Sequence, residues 1–296
     1  MLAENLEPSH GAAAANDAVI EAIEKAISDE SIKLPAMPDI ALNIKTVFED
    51  EQYDINHIAR IIQTEAGLAA YVLKVANSPL HRGPIPIKTA KHAVCRLGQQ
   101  SVQSIALTYT VRSLFESSST KLNSVLENQW EESTTIAAIS SVLAERCVDF
   151  DPDQALLAGL LQDIGGLPII NWLNDHHDQA DDLEAEYAHL KSRYAARIGE
   201  RLLRSWQFAD ELIEVVCARE DWRRDSGPRV DAADIVTIAR HHYYMGKHKL
   251  DVCPGITEIA AYHKLPFQEL SPDQSLKILA ESKEDIAEIK GVLAGG

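Results

Sequence analysis

The chain has 296 residues, 46% hydrophobic and 25% charged, and its 45 acidic against 28 basic side chains leave a formal net charge of −17. That length can bury two packed units, and so acidic a surface repels phosphate backbones and anionic lipid, which sets nucleic acid and membranes aside as main partners. Glycine (14), proline (12) and aromatic residues (6%) are too scarce for a sandwich or barrel with its many turns and aromatic strands.

The opening Met1-Leu2-Ala3-Glu4 carries no basic or apolar leader signal, and no apolar run is expected to reach the length of a bilayer span. Residues 1–33 read as a polar tail, loose to about Asn16, followed by a helix through Ile27. Helical periodicity then recurs. Ile40, Ile44, Val47 and Phe48 form one apolar stripe, and Ile58, Ile61 and Ile62 the next; Leu68, Tyr71, Val72 and Val75 follow, then Val102, Ile105, Ala106 and Tyr109. Pro38, Asp151-Pro152 and Ser271-Pro272 mark helix starts. Asn77-Ser78-Pro79 reads as a helix end, with asparagine in the left-handed conformation and proline preventing continuation.

No period-two strand and no Asn-Gly or Asp-Gly hairpin occurs, so the predicted fold class is all-α, with two packed helical units. The first unit spans 34–116, the Ser117-Ser118-Ser119 run is the linker or loop, the second unit spans 122–245, and an acidic helical tail occupies 246–296. Cys95, Cys147, Cys217 and Cys253 lie far apart without metal-ligand spacing, which predicts free, buried thiols in a reducing cytosol and a cytoplasmic protein. Gly-x-Ser-x-Gly, Gly-rich phosphate loops and Cys-x-x-Cys are all missing. Trp172, Trp206 and Trp222 are expected to anchor helix packing.

Two local clusters allow more than one reading. Arg240-His241-His242-Tyr243-Tyr244, with Lys247, His248 and Lys249 behind it, is either a cradle for a phosphate-bearing ligand or a solvated helix end. Asp175-His176-His177-Asp178 has metal-capable side chains, but neighbours on a helix point in different directions, so at most two would scavenge a metal.

The segments LPAMPDIALNIKTVFED, IARIIQTEAGLAAYVLKVANSPL and IKTAKHAVCRLGQQSVQSIAL resemble the HDOD domain in their Leu-Pro-x-x-Pro opening, their helix ending in Asn-Ser and their Ala-x-x-x-Leu-Gly element. ALLAGLLQDIGGL and IGERLLRSWQF resemble two later segments of the same family, so the likeness runs from about Leu34 to Met245. It implies a fold related to the HD-domain phosphohydrolases, whose imidazoles and carboxylates hold divalent cations that activate water against a phosphoryl group.

Carried over position by position, the resemblance implies that the ligands are lost. The histidine of the His-Asp pair falls on Gln162, leaving Asp163. The other ligand positions fall on Glu132, Ala195, the Arg219-Glu220 pair and Arg240. An amide is a poor transition-metal ligand, and a guanidinium near Asp163 would take the space of the cation. Asp163 itself reads as a hydrogen-bond acceptor near the Gly165-Gly166 helix end rather than as a remnant ligand.

The expectation is therefore a non-catalytic regulatory protein of bacterial signal transduction, without a cofactor, acting by contact with a protein partner. Its contact residues would be Tyr71, Lys74, Asn77, Ser78 and Arg96, along a groove between 68–77 and 90–97 that accepts an amphipathic helix. The alternatives are a sensor of an anionic nucleotide using Arg219, Arg223, Arg224 and Arg240, and a residual metal-dependent phosphohydrolase.

Overall fold

The computed structural model of the chain describes residues 22–49, 55–78, 80–115, 123–148, 150–176, 182–247, 253–271 and 276–294. Among them there is no β-strand, and an isolated bridge pairs Leu270 with Leu276. The chain is all-α, as its periodicity predicts.

Helix α1 (22–28) is followed by α2 (Asp39–Glu49), α3 (Ile55–Thr64), α4 (Ala66–Ala76), α5 (Ala90–Leu97) and α6 (Gln99–Phe115). Next come α7 (Asn123–Ala144), α8 (Pro152–Leu161), α9 (Gly166–Asp175), α10 (Leu183–Ser205), α11 (Asp210–Cys217) and a 3₁₀ turn at Ala218–Glu220. The described chain closes with α12 (Ala232–Gly246), α13 (Ala260–Lys264), α14 (Lys277–Glu281) and α15 (Lys283–Leu293).

Local chemistry explains several boundaries. Asp151 accepts from the amides of Asp153 (2.8 Å) and Gln154 (3.4 Å) with Pro152 in the first turn of α8, the start its sequence announces. Asp231 and Asp234 form a reciprocal capping box on α12. Pro38 stands one residue before α2 and its carbonyl accepts the amides of Ala41 and Leu42. Pro272 of the third predicted start, and the serine run at 117–119, lie outside the described residues.

Asn77 ends α4 by a different device from the one expected. Its backbone (φ −108°, ψ 2°) is not left-handed. Its side chain instead donates to the carbonyls of Leu73 (2.7 Å) and Ile87 (2.9 Å) and accepts the Ile87 amide (2.7 Å). The helix end is thereby stapled to the strand-free segment leading into α5.

Two apolar clusters organise the packing. The smaller joins Ile44, Ile58, Ile62, Leu68, Val72 and Ala93 to Val102, Ile105 and Ala106 of α6. The larger takes Leu107, Val111 and Phe115 from the same helix and builds outward over α7 to α12, so α6 is the wall shared by both. The closing segment is not a peripheral tail. Ile256, Ile259, Tyr262, Leu265, Leu276, Leu279 and Leu293 all belong to the larger cluster.

Two further expectations need correcting. Residues Pro152–Asp175 have the length and apolarity of a membrane span, with a mean hydropathy of 1.3, but 89% of that window is buried inside the protein. They are two core helices separated by the Gln162–Gly165 turn, with only a few polar residues such as Gln154, Asn171 and Asp175 left exposed. Of the four cysteines, all free, Cys147 is buried, with its thiol pushed up to about 11 by burial, whereas Cys95 and Cys217 are exposed.

Helices α7 and α8 approach each other closely. A Cβ built on Gly159 would stand 2.7 Å from the Ala137 Cα, and backbone cannot swing away as a side chain would. Alanine at a helix interior gains about 1 kcal/mol in propensity, while overpacking costs about 1–3 kcal/mol. Gly159→Ala is therefore expected to lower the unfolding free energy by up to about 2 kcal/mol in urea denaturation; a higher midpoint would contradict this packing.

Candidate functional site

The Gln162–Gly165 turn between α8 and α9 carries Asp163 into the centre of the larger cluster, where it is 1% exposed. Two glycines let other helices close on it. A Cβ on Gly165 would overlap the Ala195 carbonyl of α10, and one on Gly166 would come within 2.6 Å of the Gln129 amide of α7. Gln129 donates to the Asp163 carbonyl at 2.9 Å, and Tyr187 donates to Gln129. The turn is thus held by its backbone, leaving the carboxylate free to meet charges from three directions.

Those charges are side chains. The Arg219 Nε lies 2.8 Å from Asp163 Oδ1, and Lys191 Nζ is ion-paired to Oδ2. Lys191 also reaches Glu132 Oε2 at 3.1 Å, so Glu132, Lys191, Asp163 and Arg219 form one alternating chain. Tyr244 donates to Glu132 Oε1 at 2.8 Å. Arg240 lies behind, donating to the Arg219 carbonyl, with its guanidinium 4.8 Å from the Trp222 ring centre and 5.7 Å from that of Tyr244.

Burial alone would push the Asp163 carboxyl up. The Arg219, Lys191 and Arg240 charges outweigh it and hold the group below the ordinary carboxylate range. Burial likewise pushes Lys191 down, and Asp163, Tyr187 and Glu132 reverse the sign, holding it above the usual lysine value. Both members of the pair are therefore ionised at neutral pH.

The structure gathers the residues singled out by sequence. Gln162 (0% exposed) precedes Asp163 in the turn, with neither amide atom hydrogen-bonded. Glu132, Arg219 and Arg240 join the ion network, and Ala195 packs its backbone on Gly165. The role read for Asp163 is corrected in part. Its backbone carbonyl accepts hydrogen bonds at the helix end, but its carboxylate is ion-paired.

The basic patch at 240–244 is neither a solvated helix end nor an open cradle. Arg240, His241, His242 and Tyr243 are all buried, and His241 Nε2 lies 3.0 Å from the Pro254 carbonyl. Arg224 is tied to Glu214 (3.1 Å) and Asp231 (2.8 Å), while Arg223 is exposed. His248 and Lys249 lie outside the described residues, as do His177 and Asp178; His176 stacks on Trp172 with ring centres 4.1 Å apart.

The contact residues expected along the 68–77 and 90–97 groove are engaged within the chain. Tyr71 and Ser78 are buried, which corrects the reading of Tyr71 as an exposed member of that seam. Asn77 staples Ile87, Arg96 donates to the Ile85 carbonyl at 2.6 Å, and Lys74 donates to the Gly291 carbonyl of α15 at 3.2 Å.

Lys191 is the site residue that sequence reasoning missed. It stands one helical turn before Ala195 on the same face of α10, and that i,i+4 relation was the available signal. Tyr244 bears the same relation to Arg240.

These side chains do not fit a divalent metal. An amide, a methyl group and two guanidinia stand at four of the implied ligand positions, the Asp163 and Glu132 carboxylates already contact the Lys191 ammonium, and Glu220 is ion-paired to Arg219. Among the described residues no group of three or more His, Cys, Asp or Glu could hold a metal ion.

Removing one member of a buried ion pair costs about 3–5 kcal/mol, because it strands the other charges. Asp163→Asn should lose about that much stability at neutral pH. The Asp163 pKa is lowered by folding, so its contribution is full above the unfolded value of about 3.9 and is lost as pH falls through the folded one. The gap between wild type and Asp163→Asn should therefore narrow on acidification below about pH 4 in denaturation titrations; a gap independent of pH would show that the carboxylate charge is not what stabilises.

A sequence profile of the HDOD domain matches residues 34–222. No curated protein matches the chain. Among solved structures, a "putative metal-dependent phosphohydrolase" from Shewanella amazonensis SB2B is similar at 24% identity and a TM-score of 0.78, covering 95% of this chain and 99% of that one. An HDOD domain protein of unknown function from Geobacter sulfurreducens is similar at 21% identity, TM-score 0.64, covering 92% and 98%. A "putative signal transduction protein" from Marinobacter aquaeolei VT8 is similar at 17% identity, TM-score 0.58, covering 94% of this chain and 66% of that one. At these identities the structures speak to the fold, whereas the profile spans well over half of the sequence: the chain belongs to the HDOD domain family.

Proposed function

We propose that this HDOD protein is a non-catalytic regulator in signal transduction, acting through contact with a partner protein. The observation that supports this most directly is the Glu132–Lys191–Asp163–Arg219 chain of ion pairs. Metal-assisted phosphoryl hydrolysis needs lone-pair donors around an open coordination position. Here the two oxygen donors are spent on an ammonium and a guanidinium, and those cations are covalently part of the chain. A site that is charge-balanced by its own side chains has little electrostatic demand for an added cation.

The regulatory half of the proposal rests on family membership and on the likeness to a signal-transduction protein, with output passed by surface contact. The fold offers large helical surfaces, and helix faces and grooves are common docking sites for partner segments.

The test is hydrolysis of a generic phosphodiester, bis(p-nitrophenyl) phosphate, by protein stripped with chelator and then supplied with manganese. No manganese-dependent turnover above the buffer control is expected. Turnover that needs manganese and is lost on renewed chelation would overturn the non-catalytic reading and restore the phosphohydrolase.

A further inference from the structure

A cleft of about 960 Å³ opens between α6, α8, the α10–α11 corner and the start of α12. Its floor is mostly apolar, although the buried Ser104 and the amides of Gln103, Gln154 and Gln207 also line the cleft. Leu107 and Leu157 lie beneath, and Phe150, Phe208, Leu212 and Val230 are partly exposed around them. Gln207 takes a positive φ (56°), which folds the chain back between α10 and α11 and brings Phe208 to the cleft wall.

The rim is acidic. Asp210, Glu211, Glu214 and Asp231 line it, and no lysine or arginine does. Arg224 offsets Glu214 and Asp231 from outside the cleft, and Arg204 reaches Asp210 at 3.6 Å, so four carboxylates face two guanidinia and the rim stays net negative.

This layout differs from that of a small-molecule pocket, where a few polar groups converge on the floor to orient the ligand. None of the buried, unpartnered side-chain atoms among the described residues belongs to a lining residue. An apolar centre with its polar groups at the edge is the anatomy of a protein interface. The sign of the rim specifies the complement: arginines or lysines flanking an apolar stripe. A chain of net charge −17 would also steer such a segment inward.

We infer that this cleft is the docking surface for a basic amphipathic helix of the partner protein, its apolar stripe on Phe208, Leu212 and Val230 and its cations over Asp210 and Glu211. The inference rests on the proposed contact-based function and names the chemistry of that partner.

The probe is a designed peptide of about 18 residues, about five helical turns, with leucines at i, i+3, i+4 and i+7 and arginines and lysines elsewhere. The controls are the same composition scrambled and the same pattern with glutamates for the basic residues. Binding is read by fluorescence anisotropy, and its location by hydrogen exchange. The basic amphipathic peptide should bind and protect 206–214 and 230–233. Binding should weaken about tenfold in Leu212→Glu, as for an interface anchor. Glu211→Lys, an exposed change that leaves packing alone, should weaken it and flatten its salt dependence.

Equal binding of the scrambled peptide, or protection elsewhere, would overturn the inference. So would concentration-dependent dimerisation of the free protein that is lost in Leu212→Glu, because the occupant would then be a second copy. None of these readouts involves hydrolysis, so failure here removes the cleft, whereas manganese-dependent turnover removes the wider functional reading.

Discussion

A carboxylate with no solvent must find positive charge inside the protein, and Asp163 sets that requirement at the centre of the larger core. Stranding an ion at such a position costs several kcal/mol, a sizeable share of the 5–15 kcal/mol that typically separates folded from unfolded states. Meeting the requirement draws in four elements. Lys191 comes from α10, Arg219 from the 3₁₀ turn after α11, Glu132 from α7, and Arg240 from α12 to hold the Arg219 backbone. The glycines at 165 and 166 are the steric counterpart of the same demand, because any side chain there would keep α10 and α7 too far away for their charges to reach.

The charge arithmetic explains how such a site persists without metal ligands. Lys191, Arg219 and Arg240 carry three positive charges, and Glu132, Asp163 and Glu220, the last paired to Arg219, carry three negative ones. The network closes as a neutral unit whose parts cannot dissociate from one another. What it gives up is the open position at which a metal presents water to a substrate.

Legibility in the sequence followed the range of the interactions. Features set within one or two helical turns were readable: the stripes of α3 and α4, the Asp151-Pro152 start, and the all-α class itself. Features set by distant partners were not. Tyr71 sits in an apolar stripe beside the seam between 68–77 and 90–97, and only the packing of α6 and α15 around it shows that it is enclosed. The closing segment read as a tail because prolines such as Pro254 and Pro266 break it into short helices, which hides an apolar set that the larger cluster collects. The site was legible as a set of positions, and Arg219 beside Asp163 follows from the family alignment. Lys191 was not, since a lysine on an amphipathic helix is ordinarily solvated.

The distribution of helix α15 over both clusters bears on where a partner could dock. Val292 enters the smaller cluster while Ile289 and Leu293 enter the larger, so the chain's own last described helix closes the seam between them. A foreign helix on that seam would first have to displace burial worth about 1.5–3 kcal/mol per large apolar side chain. The cleft beyond α8 carries no such occupant among the described residues. Its walls are also the near ends of elements whose far ends belong to the ion network: α11 leads from Leu212 into Arg219, and α12 runs from Asp231 to Arg240. Buried ion pairs tie those ends to the core, and a surface that does not reorganise loses less on binding. In the proposed reading, the ion-paired residues serve as the base from which the walls of the docking cleft extend.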